Sequence, residues 1–206
     1  MQLHGRTALI VIDVQKGEVE PGGGIPIMTG GADRHERIRR IIAAARAADI
    51  PPIFIQEIHK RSLVDFGREL DGTETVHGLE GDRLTELADG VGPEGDEYLI
   101  RKRRYSAFFA TELELVLKSY GVQTVILVGA LTDVCVHYTF ADAHQHDYHC
   151  RVVTDCVGGS SHPAHEASLK AMAYLQRDAL VSSDDVLATL AALVPAVPTD
   201  AIATPA

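Results

Sequence analysis

An α/β domain built on an open, mostly parallel sheet is what this sequence predicts, on three observations. Thr7–Val14 (TALIVIDV) and Val125–Val128 are apolar runs with almost no polar interruption, as expected of strands covered on both faces. Segments of helical apolar period separate the strand-like runs along the chain. The stretch Val125–Tyr138 (VILVGALTDVCVHY) passes from one such run through Gly129 and Thr132-Asp133 into a helical pattern. That is strand, turn, helix, and in an open α/β sheet such a turn lies where ligands bind.

The elements follow in order. Asp13 closes the first strand. The Gly-rich stretch Pro21–Gly31 has no phosphate-binding fingerprint and reads as a mobile loop. A helix is expected over Asp33–Ala48, with Asp33 and Glu36 in capping-box spacing and Ile38, Ile41, Ile42 and Ala45 as its buried stripe. Pro52–Glu57 (PIFIQE) is the second strand, carrying Gln56, Glu57 and His59 toward the face of Asp13. Lys60–Asp96 is too long for a mere connector and is expected to cover a site or a subunit contact. Tyr98–Ile100 is a third strand that runs into Arg101-Lys102-Arg103-Arg104-Tyr105-Ser106, a cationic run that either binds an anion or lies solvated.

Thr111 and Glu114 form a second capping-box pattern, and that helix ends before Gly121. After the central strand, Thr132 is the expected N-cap of the next helix, placing Cys135 in its first turn. Free N–H groups and the helix dipole there favour a thiolate; the alternative is a cysteine that simply packs. Arg151–Thr154 is a fifth strand, followed by an edge loop from Asp155 to Ser161. A helix over Ala164–Arg177, a strand at Ala179–Val181 and a Ser183-capped helix to Leu193 complete the domain, residues 1–194. Residues 195–206 show no core-forming period and are expected to be a disordered tail.

Composition narrows the function. The chain has 206 residues, 46% hydrophobic, with mean hydropathy +0.03, which suits one domain with a sizeable core and no membrane span. The N-terminal MQLHGRTALIVIDVQ lacks the pattern of a leader, so a cytoplasmic location is expected. A formal charge of −10 disfavours nucleic acid and anionic membranes as partners. Three cysteines without CxxC spacing argue against a disulfide framework or structural zinc, and Cys150 and Cys156 read as packing residues.

Three strand ends thus carry Asp13, Lys102 and Cys135. An acid that takes and returns a proton, an ammonium and a thiol form a coherent nucleophilic set needing no cofactor. The motifs IDVQ (Ile12–Gln15), KRRYSAF (Lys102–Phe108), GALTDVCV (Gly129–Val136) and TFADA (Thr139–Ala143) resemble those of the isochorismatase-like cysteine hydrolases. That superfamily includes nicotinamidases, N-carbamoylsarcosine amidase, ureidoacrylate hydrolases and biuret hydrolases.

The resemblance implies a three-layer αβα fold of Rossmann-like topology and a catalytic triad of Asp13, Lys102 and Cys135. It also implies a cis Ala130-Leu131 bond, with an oxyanion hole from the N–H groups of Leu131 and Cys135. The implied activity is hydrolysis of a C–N bond in a small amide, N-carbamoyl or ureido compound, the biuret or ureido type favoured, through a thioester. Glu57, His59, Tyr105, Phe108, Tyr138 and Gln176 are candidate substrate contacts. Glu57-Ile58-His59 departs from the Asp-x-His of the nicotinamidase metal site, so no metal and no cofactor is expected. Relatives of this kind form homo-oligomers, and a dimer or tetramer is expected. Two alternatives stay open: an isochorismatase-type vinyl-ether hydrolase, against which Cys135 counts, and a non-catalytic binding protein on the same fold.

Overall fold

The computed structural model describes residues 1–194; the expected tail lies outside them. The first apolar run forms strand β1 (Arg6–Ile12), buried at every residue after Arg6. With β2 (Pro52–Glu57), β3 (Leu99–Lys102), β4 (Val122–Ala130), β5 (His149–Gly158) and β6 (Leu180–Val181) it forms a parallel sheet of order β3-β2-β1-β4-β5-β6. The chain builds outward from β1 to β3, then returns to place β4 on the other side of β1. The direction of winding therefore reverses between β1 and β4, where an open sheet leaves a crevice at its carboxyl edge.

Side-chain alternation along these strands serves two cores. Ile10, Ile12, Ile53, Ile55 and Leu127 pack toward α2 (Leu113–Ser119), α3 (Cys135–Gln145) and α4 (His162–Leu175). Leu9, Val11, Phe54, Ile126 and Val128 pack toward α1 (Gly31–Ala47) and α5 (Ser183–Ala191). The result is the three-layer αβα arrangement. No helix of the described residues is long and apolar enough to cross a membrane.

Gly129 is required where the two halves meet. Its φ is +120°, and a Cβ there would lie 1.9 Å from the Ile12 carbonyl oxygen. Any side chain would force β1 and β4 apart directly behind Asp13.

Helix starts differ from the sequence patterns, and other contacts, local or long-range, engage the expected capping side chains. α1 begins earlier than expected, after Gly30 with φ 88° and no side-chain cap, while Glu36 faces outward to pair with Arg39 at 2.8 Å. At α2, Thr111 donates its hydroxyl to the Ala107 carbonyl and Glu114 pairs with Lys118, so no capping box forms. α5 is capped by Ser182 in a box with Asp185. Ser183, expected as the cap, instead binds Asp155 through both its N–H and its hydroxyl. β5 runs on to Gly158, with a register shift opposite Leu127–Gly129, so most of the expected edge loop is strand.

The two loops over the crevice are tied down. Gly24 accepts from Thr75 N at 3.1 Å and Met28 N donates to Gly159 O at 2.9 Å; a Cβ on Gly23 would sit 1.9 Å from Gly17 O. The Gly-rich stretch is thus anchored to its neighbours at Gly24 and Met28. The long segment after β2 folds back over the sheet edge through His59 N to Gly78 O (2.6 Å), Lys16 N to Glu86 O (2.9 Å) and Ala88 N to Val14 O (2.9 Å).

Candidate active site

Asp13 follows β1 with φ 51°, a left-handed conformation that Asp tolerates better than most residues. Its N–H donates to Ile55 O at 3.0 Å. Lys102 ends β3 in register with Glu57 at the end of β2, so parallel pairing alone sets these two side chains side by side. Cys135 opens α3. Its expected cap, Thr132, is used elsewhere: its N–H donates to Gly158 O (2.9 Å) and its hydroxyl lies 2.9 Å from His165 Nδ1. Val134 is the N-cap, and Val134 N and Val136 N both donate to Leu131 O.

Asp133 fixes this turn by accepting from Ser160 N at 2.8 Å and from the Ser160 hydroxyl. The Ala130-Leu131 peptide bond is cis. The N–H groups of Leu131 and Cys135 find no main-chain acceptor among the described residues.

Lys102 joins the two sides. Its Nζ is 2.8 Å from Asp13 Oδ2 and 3.3 Å from Cys135 Sγ, and it donates to Glu57. Cys135 Sγ lies 3.5 Å from Glu57 Oε2, and ligand atoms of Asp13, Glu57 and Cys135 all fall within 4.8 Å of one another.

Burial and charge set the protonation. Burial, aided by Glu57, pushes the Asp13 pKa up to about 6 against the pull of Lys102. Burial also pushes Glu57 upward, but Lys102, His59 and His77 outweigh it and hold that carboxylate well below its usual range. Lys102, opposed by burial but faced by Asp13, Cys135 and Glu57, is held well above its ordinary value.

The Cys135 thiol is pushed well above its ordinary value by burial, and by Asp13 and Glu57 against Lys102. This corrects the thiolate expected from the helix start. One ammonium shared with two carboxylates leaves the resting sulfur protonated.

The site opens into a cavity of about 50 Å³ lined by residues that include Asp13, Gln15, Ile25, Glu57, Glu74, His77, Leu84, Tyr105, Leu131, Val134 and Cys135. Of the candidate substrate contacts, Glu57 and Tyr105 line it. Burial, with Glu69 and Glu74 nearby, pushes the Tyr105 hydroxyl up to about 12.

The remaining candidates lie elsewhere. His59 is wholly buried behind Glu57. Tyr138 is exposed and stacks on Tyr105 with ring centroids 5.7 Å apart, outside the cavity. Phe108 packs against His146 and Tyr148 in the core. Gln176 is drawn to the far end of β5, donating to Cys150 O (2.9 Å) and accepting from Cys150 N (3.1 Å). Phe108 and Gln176 are thus engaged by aromatic partners and by main-chain groups away from the cavity.

Several participants were given no role from the sequence, Gln15 among them although it ends the IDVQ motif. Gln15 clamps the crevice, accepting from Glu57 N (3.0 Å) and donating to Glu57 O (3.1 Å) and Thr85 O (2.7 Å). His77, from the long loop, lies 2.8 Å from Glu57 Oε1, with its Nδ1 2.6 Å from Thr75 O. Glu69 lies 3.1 Å from His59 Nε2. Most of the basic run is bound within the molecule: Arg103 pairs with Asp65 at 2.8 Å and Arg104 donates to Asp65 O at 2.6 Å, while Arg101 is exposed.

The expectation of no metal meets a specific finding. Glu57, His59, Glu69 and His77 bring four ligand atoms within 4.8 Å of one another. Both His59 nitrogens and both Glu69 oxygens are buried without a well-formed hydrogen bond. With Nδ1 of His77 on a carbonyl, its Nε2 faces the cluster, as in a histidine ligand oriented from behind. Two imidazoles and two carboxylates fit a divalent first-row ion. Without an ion, Glu57 and Glu69 hold His59 as a cation, its pKa raised to about 9 despite burial.

A thiol, a lysine and a carboxylate thus converge at the switch point of an αβα sheet. The chain belongs to the Isochorismatase domain family, whose model matches residues 7–185. Among its relatives, ureidoacrylate amidohydrolase RutB of Serratia proteamaculans is 31% identical over 72% of this chain and 68% of its own length. A probable inactive nicotinamidase of Arabidopsis thaliana is 33% identical over 80% of this chain and 86% of its own. The crystal structure of a cysteine hydrolase from Pseudomonas syringae pv. phaseolicola superposes with a TM-score of 0.80 at 27% identity, covering 91% of this chain and 93% of that one.

Proposed function

We propose that the protein is a cysteine-dependent amidohydrolase that cleaves a C–N bond in a small ureido or carbamoyl compound through a thioester. The observation that carries this reading is the contact of Lys102 Nζ with Asp13, Glu57 and Cys135 together at the floor of one cavity. A pKa of about 6 makes Asp13 a base at neutral pH that can still hold a proton once it has taken one.

In this mechanism Cys135 Sγ attacks the substrate carbonyl carbon as its proton passes to Asp13. The N–H groups of Leu131 and Cys135 receive the developing oxyanion. The C–N bond then breaks, Asp13 returns the proton to the departing nitrogen, and ammonia or an amine leaves. Water, giving a proton to Asp13, attacks the thioester; the carboxylic or carbamic acid departs and the proton restores the thiol. Lys102 stays charged throughout and offsets the negative charge of sulfur and Asp13.

Glu57, His59, Glu69 and His77 would hold an ion if one is bound, and it would supply Lewis-acid polarisation of a carbonyl. Otherwise the two histidines act as cations that fix Glu57. Ammonia release from biuret, triuret, N-carbamoyl amino acids, ureidoacrylate and nicotinamide tests the proposal, with mass spectrometry of trapped enzyme. Turnover with an acyl adduct on Cys135, both lost in Cys135→Ala, is expected; turnover persisting in that variant would refute it.

A further inference from the structure

Every carboxylate around the cavity but one has a cationic group against it. Lys102 faces both Asp13 and Glu57, His77 also faces Glu57, and His59 faces Glu69. Glu18, also in the lining, is consumed by Arg34 at 2.7 Å and His35 at 2.6 Å. Glu74 remains: it lines the cavity, is partly buried, and has no ion-pair or hydrogen-bond partner among the described residues. No lysine or arginine lines this cavity. Burial raises the Glu74 pKa, with Glu57 and Glu69 adding to it against His77 and Lys102, as expected of a carboxylate whose counter-group is missing.

We propose that Glu74 is a specificity-determining residue that accepts the N–H groups of an uncharged amide or urea and turns away substrates bearing a carboxylate. The proposal rests on Cys135 being a nucleophile that opens to this cavity, and it adds what the triad does not decide: the charge of the substrate. A carboxylate brought beside Glu74 meets a like charge in a partly desolvated pocket, where repulsion is stronger than in water. A urea brings several N–H donors and no charge, and supplies the hydrogen bonds Glu74 lacks. Ureidoacrylate, named for the Serratia relative, carries both a ureido group and a carboxylate, so it separates the two effects.

The test uses alkylation of Cys135 in the full chain by iodoacetamide and by iodoacetate, reagents alike except for charge, followed by peptide mass. The ratio of the two rates cancels any change in the thiol itself, and N-acetylcysteine gives the intrinsic ratio. In the wild type, iodoacetamide is expected to be favoured at least about tenfold beyond that reference. Glu74→Gln should remove most of the preference, and Glu74→Asp, which keeps the charge, should retain it. Glu74→Gln should also raise turnover of ureidoacrylate relative to biuret.

An unchanged ratio in Glu74→Gln, with Glu74→Asp behaving like wild type, overturns the role of Glu74 and leaves the hydrolase reading standing. Since Asp13 is placed to take the thiol proton as Sγ attacks, failure of both reagents to label Cys135 in the folded wild type overturns the nucleophile, and the charge filter with it.

Discussion

The two halves of the sheet edge meet at one cavity but are held in opposite ways. On the β1–β2–β3 side the groups are charged and set against opposite charges: Asp13, Glu57 and Lys102, backed by His59, His77 and Glu69. On the β4–β5 side the groups that face the cavity are a thiol, apolar side chains and main chain, and the turn behind them is held by hydrogen bonds of Asp133 with Ser160 and of Thr132 with Gly158. The difference teaches that the charged half sets protonation and the other half sets direction. Removing one member of the first should leave buried charge exposed to its neighbours, while removing a member of the second should only loosen geometry.

The largest expected effect is chemical. Cys135→Ala should lower kcat by on the order of 10⁴-fold or more with an unchanged thermal midpoint, read by steady-state kinetics and calorimetry. Lys102→Met should cost both functions of the charged half. Two buried carboxylates lose their shared cation, and breaking such a pair costs about 3–5 kcal/mol, measurable by denaturant unfolding. A comparable loss of stability in Asp133→Ala would erase the distinction between the halves.

Gly129→Ala tests the seam between them. The clash with Ile12 O and the positive φ should destabilise by about 3 kcal/mol or more, and turnover should fall with it because Asp13 follows Ile12 directly.

The pH profile sharpens the assignment of Asp13. Its carboxylate is the form that accepts the thiol proton, and its pKa is about 6. Below that value the base is protonated, so kcat/KM should fall about tenfold per pH unit as pH drops, and Asp13→Asn should abolish the limb along with most activity. The smallest effect is expected at Gln176. Gln176→Ala removes hydrogen bonds to the Cys150 main chain and should cost about 1 kcal/mol of stability with kcat and KM unaltered. A changed KM would return Gln176 to the substrate.

Legibility followed the range of the interactions. Pro52–Glu57 was read to the residue, and Thr7–Val14 nearly so, because burial on both faces writes itself as consecutive apolar residues. The helix stripe of Ile38, Ile41, Ile42 and Ala45 was equally plain. The caps at Asp33 and Thr111 were misread because a capping pattern is only an offer; Arg39, Lys118 and the Ala107 carbonyl made better ones. His77, Glu69 and Glu74 stand in a loop without period, so nothing local marked them as neighbours of Glu57.

The amino-acid sequence by itself determined the strands, the helical faces and which strand ends carry an acid, an amine and a thiol, since those follow from local hydrophobic period and residue type. Only the tertiary structure decided the state of those groups. Whether sulfur rests as thiol or thiolate, and which carboxylate lacks a partner, depends on how many charges share one desolvated space, and that number is set by chain segments far apart in sequence.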